Sequence, residues 1–111
     1  MSSDSAIDRL DEFDIVGVRK DGGADLVIVA QGPLDGSATT LSALDQKIRN
    51  YIREASSSAF LKKYELQADA RLMIYISCAF PIDPAALRVI DRLQPLAARI
   101  GARIEVRKQM G

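Results

Sequence analysis

The sequence predicts an α/β fold: a two-layer sandwich in the order ββαβαβ, with a four-stranded mixed sheet, an N-terminal hairpin and two main helices on one face. Three observations predict it. The pair Gly22-Gly23 separates two runs rich in β-branched residues. Apolar residues spaced three and four apart, from Leu41 to Ala55 and from Leu87 to Ile100, alternate with the apolar runs Leu26 to Ala30 and Leu72 to Ile76. A last stretch, Arg103 to Arg107, alternates charged and apolar side chains. Strand-helix-strand crossovers are right-handed in nearly all proteins, so if the last three strands advance in one direction, both helices cover the same face.

Residues 1–12 are rich in Ser and Asp, yet Ile7, Leu10 and Phe13 recur at intervals of three. They form either a short docking helix or a frayed tail ahead of one domain spanning 13–108. Phe13 to Lys20 and Ala24 to Gln31 flank Asp21-Gly22-Gly23, residues that tolerate positive φ, and this is the strongest local signal in the chain, a β-hairpin. Leu26 to Ala30 is apolar at every position, as in a central strand with both faces covered. Gly32-Pro33-Leu34-Asp35-Gly36-Ser37 ends it, and Thr39 or Thr40 can cap the following helix. That helix buries Leu41, Leu44, Ile48, Tyr51, Ile52 and Ala55, and turns Asp45, Lys47, Arg49, Asn50 and Arg53 to water. Ser56-Ser57-Ser58 stops it, and Phe60, Leu61 and Tyr64 add a short helical turn. Arg71 to Ser77 is the third strand. Asp83-Pro84 opens the second main helix, since Asp caps well and Pro suits the first helical position. Pro95 inside this helix predicts a kink near Asp91 to Leu93. Gly101 closes it as a left-handed cap. The alternation at Arg103 to Arg107 marks a strand with one wet face at a sheet edge.

A chain of 111 residues suits a single hydrophobic core. Lys and Arg number 15 and Asp and Glu 15, so the net charge is zero and non-specific binding to nucleic acid is not expected. The charges are unevenly spread. Asp4, Asp8, Asp11, Glu12 and Asp14 face only Arg9 at one end, while Arg103, Arg107 and Lys108 face only Glu105 at the other, and the two ends can attract within a subunit or between two. The chain has no His, the commonest side-chain base and transition-metal ligand, and one Cys. Zinc sites, His-dependent triads and an internal disulfide are thereby excluded. The apolar runs, about five residues long, are far short of the roughly 20 that span a bilayer, so no membrane contact is expected. The acidic, polar start differs from a secretory signal, which points to the cytoplasm.

Ligands of sheets with parallel strands gather beyond the strands' carboxyl ends, where Gln31 to Ser37 and Cys78 to Asp83 would share one rim. There Asp35, Ser37, Cys78 and Asp83 are candidate ligand-binding residues for a small polar molecule or a hard cation. Each also has a plainer role: Asp83 as helix cap, Asp35 in a turn with Gly36, Ser37 near a helix start, Cys78 as a small packed hydrophobe. Gly32 to Ser37 lacks the Lys of a phosphate loop, and Cys78 lacks a His to activate it, so no catalytic residue, metal site or cofactor is assigned. Helices on one face leave the other needing cover. Val27 and Val29, with Ile74 and Ile76, are the candidate interface residues there, covered by the N-terminal segment or by a second subunit. The expectation is a non-enzymatic protein-interaction module, a homodimer or the partner of another protein. The alternative is a small-ligand or metal-ion binding protein, or a weak hydrolase, using Asp35 and Asp83.

The hairpin Phe13-Asp14-Ile15-Val16 through Val27-Ile28, the pair Leu34-Asp35, the helix Leu41 to Ile52 and the later Phe60 to Tyr64 resemble a family of small bacterial proteins known only as a domain of unknown function. The likeness covers nearly the whole chain and implies a fold without an activity. The second half also resembles the anti-sigma factor antagonist and sulfate-transporter domain, through Ile74 to Ser77, Asp83-Pro84-Ala85-Ala86-Leu87 and Ile104 to Val106. Pro84 and Ala85 stand at that family's two hydroxyl positions, so its phosphorylation switch cannot operate here.

Overall fold

The computed structural model describes residues 13–108, so the reading of residues 1–12 lies outside the described residues. Strand β1 (Ile15–Val18) pairs antiparallel with β2 (Ala24–Val29), and β2, β3 (Leu72–Cys78) and β4 (Ala102–Lys108) run parallel in the sheet order β1-β2-β3-β4. Helix α1 (Ala38–Ala55) and the short α2 (Ser58–Lys63) connect β2 to β3, and α3 (Pro84–Ala98) connects β3 to β4. The expected α/β order and mixed sheet are therefore present. Among the described residues no helix is long and apolar enough to cross a membrane.

The hairpin turns where two glycines meet two different demands. Gly22 has φ +91°, a conformation that side chains with a Cβ rarely adopt. Gly23 is needed for space: a Cβ there would lie 2.4 Å from the Arg71 carbonyl oxygen, on the neighbouring chain segment. The turn is closed by the Arg19 N–H donating to the Gly23 carbonyl at 2.8 Å, and the Asp21 carboxylate accepts from the Gly23 N–H at 2.8 Å. That backbone N–H, with the Arg19 guanidinium beside it, holds the Asp21 carboxyl below the usual carboxylate range.

Both crossovers advance in one direction, so α1 and α3 lie on one side of the sheet and pack against each other. Leu26 and Ile28 of β2, Ile74 and Ile76 of β3 and Ile104 of β4 meet Leu44, Ile48 and Leu93 from the helices, all essentially inaccessible to water. This face is the core. Two sequence expectations change here. Ile74 and Ile76 do not lie on the face away from the helices: the register pairs Ile74 with Leu26 and Ile76 with Ile28, which places both under the helices. With an apolar side chain at almost every position of β2 and β3, the alternation of faces has no phase legible in the sequence. Lys47 and Asn50 are buried rather than turned to water, Lys47 because it pairs with Asp14, just ahead of β1, as described below.

The helix ends follow local chemistry. Ser37, not Thr39 or Thr40, caps α1, its hydroxyl accepting from the Thr40 N–H at 3.2 Å. Ser57 caps α2 in the same way, and Asp83 caps α3 with Pro84 in its first turn. Helix α3 is continuous through Pro95, and Gly101 follows its end at φ +75°. Beyond β2 and β3 the chains meet once more, at a parallel bridge between Leu34 and Ile82.

Candidate functional site

The rim at the carboxyl ends of β2 and β3 does bring together the four residues singled out there, and each is already engaged. Asp35 accepts from the Ser37 hydroxyl at 2.7 Å and the Ser37 N–H at 3.0 Å, and these two donors hold its carboxyl below the usual range. The Asp83 carboxylate accepts from the Ala85 N–H at 2.8 Å and lies against Gly36, where a Cβ would sit 3.4 Å from it. The Cys78 thiol is buried, 3.4 Å from the Phe80 carbonyl oxygen and 3.8 Å from that of Gly32. Among the described residues no group of three His, Cys, Asp or Glu side chains is gathered to hold a metal ion. The rim is a set of turn and cap contacts.

The second sheet face is different in kind. Following the register across the strands, Ile15, Val27, Tyr75 and Glu105 form one row, Gly17, Asp25, Met73 and Arg103 the next, and Val29, Ser77 and Arg107 a third. No helix among the described residues packs on this side. Val27, Val29, Met73 and Tyr75 are each half-buried, and Ile15 is 52% exposed. The Arg107 guanidinium lies over the Tyr75 ring, 3.9 Å from its centroid, a contact that fixes the ring while leaving an apolar surface beside it. Charges frame the apolar middle: Arg103 and Glu105 pair at 3.5 Å on β4, and Arg19 pairs with Asp25 on the hairpin side.

A buried polar network anchors this face to the helices. The Asp14 carboxylate accepts from the Lys47 ammonium at 2.8 Å and from the Val29 N–H at 2.8 Å. The Asp14 N–H donates to the Tyr51 hydroxyl at 2.8 Å, and that hydroxyl donates to the Val27 carbonyl at 2.9 Å. Lys47 has no exposed side-chain surface, which a lysine tolerates only when an opposite charge is close. That is why it sits on the buried side of α1. Burial pushes the Tyr51 phenol well above its ordinary pKa, the Asp14 charge adding to the shift and its N–H opposing it. Phe13 seals the network, its ring 4.6 Å from Tyr51 and 5.2 Å from Phe60.

Val27 and Val29 thus stand on the second face as expected from the sequence, and their β3 companions are Met73 and Tyr75 in place of Ile74 and Ile76. Met73 and Tyr75 were missed because the parity of β3 was open, and Arg107 with them because its partner is the Tyr75 ring. Asp14 and Lys47 were missed because each reads as an ordinary surface charge. A faint signal existed: Lys47 stands four residues before Tyr51 on the helix, directly beside the buried stripe.

No curated protein and no solved structure matches the chain, and the likeness to the anti-sigma factor antagonist domain gains no support from these comparisons. The model of a family described only as of unknown function, DUF6572, matches residues 5–109, nearly the whole chain and every element of the fold described above. The chain belongs to that family of unknown function.

Proposed function

We propose that this protein is a non-enzymatic interaction module that pairs with a second copy of itself through the second face of its sheet. The observation that carries the reading is the placement of both long helices on one side. It leaves Ile15, Val27, Val29, Met73 and Tyr75 on the other, ordered by strand pairing and partly exposed. A sheet buries its apolar face against another layer, and a like sheet stacked at about 10 Å is the simplest such layer.

Charge favours a second copy as that layer. The β4 side of the face carries Arg103 and Arg107 against Glu105, a net positive charge, and the hairpin carries Asp21 and Asp25 about Arg19, a net negative one. A two-fold axis along the strands lays β4 of one copy over β1 and β2 of the other, so unlike edges meet twice. The reading includes a cytoplasmic setting, which suits a chain whose one cysteine is a buried free thiol.

Light scattering over a dilution series tests the pairing. The wild-type chain is expected to have twice the monomer mass at high concentration, and Tyr75→Glu, which sets a charge at the centre of the face, is expected to be a folded monomer. A wild-type chain that stays monomeric at the highest attainable concentration overturns the reading. So does a Tyr75→Glu variant that dimerises as the wild type does.

A further inference from the structure

In a parallel pair, alternate residues of a strand direct their backbone N–H and C=O toward the neighbour, and the residues between direct theirs away. The Leu72 N–H donates to the Gly101 carbonyl at 3.1 Å, which fixes the phase of β4. Arg103, Glu105 and Arg107 bond to β3 through their backbones, while those of Ala102, Ile104, Val106 and Lys108 point outward along an edge that no other strand among the described residues pairs with. An edge of this kind is a template for another strand.

At Ile104 the template is occupied from within the chain. The Gln94 side chain, coming down from α3, donates its Nε2 to the Ile104 carbonyl at 2.7 Å and accepts the Ile104 N–H on Oε1 at 3.1 Å. A primary amide carries one acceptor and N–H donors on a planar group, as a peptide unit does, so a single Gln side chain satisfies both edge groups of one residue. Gln94 follows the fully buried Leu93, which ties this turn of the helix to the core and holds the amide over the strand.

The side chains of β4 say which strand would pair if the amide were withdrawn. An antiparallel pair of two β4 strands centred on Ile104 sets Ile104 against Ile104 and Ala102 against Val106. Arg103 of each copy then stands opposite Glu105 of the other, two unlike charge pairs on one face. Shifting the centre to Glu105 instead opposes Glu105 to itself and Arg103 to Arg107, all like charges. The favoured register is the one that needs the two Ile104 groups that Gln94 occupies.

We propose that Gln94 is a plug that holds the β4 edge closed, and that the edge it closes is a latent pairing surface for β4 of a second copy. This is separate from pairing through the sheet face, because it uses backbone groups in the plane of the sheet.

Amide hydrogen exchange and mass measurement test it on three chains: the wild type, Gln94→Ala, and Gln94→Met, which keeps the stem of the side chain and loses the amide. The wild-type Ile104 amide is expected to exchange slowly. In dilute Gln94→Met it is expected to exchange about tenfold faster, the factor for loss of one ordinary hydrogen bond. At high concentration both variants are expected to reach double the mass of the wild-type assembly, whatever that assembly is, and adding Glu105→Arg is expected to reverse the gain. A wild-type Ile104 amide that exchanges as in an unstructured peptide overturns the plug, and needs no variant to fold. Folded variants that keep the wild-type mass at every concentration overturn the latent edge.

Discussion

The Lys47 ammonium and the Asp14 carboxylate, 2.8 Å apart, are the pair on which the join between hairpin and helix most depends. Removing one partner of a buried ion pair leaves the other charge desolvated, which costs more than the pair itself contributes. Asp14→Ala is therefore expected to lower the unfolding free energy by on the order of 3 kcal/mol, measured by urea denaturation. Replacing both groups, Asp14→Ala with Lys47→Met, is expected to recover much of that loss, and a double variant as unstable as the sum of the singles would contradict the coupling. Tyr51 supplies a pH signature. Its folded pKa is raised by burial, so the stability it contributes is fully present below its ordinary value of about 10. That stability is lost as the pH rises from there toward the folded value, because the unfolded chain releases the phenolic proton first. Wild-type stability is expected to fall more steeply above about pH 10 than that of Tyr51→Phe. Equal slopes would contradict burial as the cause. None of these pairings was legible in the sequence, since a lysine and an aspartate 33 residues apart show no sign of meeting.

At the scale of elements, legibility depended on whether the signal was local. The Asp21-Gly22-Gly23 turn, the Asp83-Pro84 helix start and the left-handed Gly101 are set by backbone chemistry within a few residues, and the structure bears each of them out. The cap of α1 fell on Ser37 rather than Thr39 or Thr40, because Ser, Thr and Asp are near-equivalent acceptors and only the turn at Asp35 and Gly36 selects among them. Asp83→Ala and Ser37→Ala are each expected to cost about 1 kcal/mol by thermal or urea unfolding, the usual worth of a side-chain cap. These losses should leave self-association unchanged, because neither residue lies on the second sheet face. A change in association with Asp83→Ala would instead favour a role for the rim.

The whole molecule is asymmetric in a way that topology dictates. Right-handed crossovers in one direction put both long helices on one side, and this much was deducible from the order of elements. Which side chains then face the helices was not. In β3, Leu72, Ile74 and Ile76 alternate with Met73 and Tyr75, and every one of them is apolar enough for a core, so only the pairing with Leu26 and Ile28 decides. The candidate site inherits that ambiguity: two of its four expected members, Val27 and Val29, lie on the second face, and the other two lie under the helices. The claim that this face binds a second copy is tested most directly by methyl NMR spectra recorded through a dilution series. The account predicts that the methyl signals of Val27, Val29 and Met73 move with concentration while those of Ile28, Ile74 and Ile76 stay in place. Shifts confined to the buried set, or no concentration dependence anywhere, would contradict it.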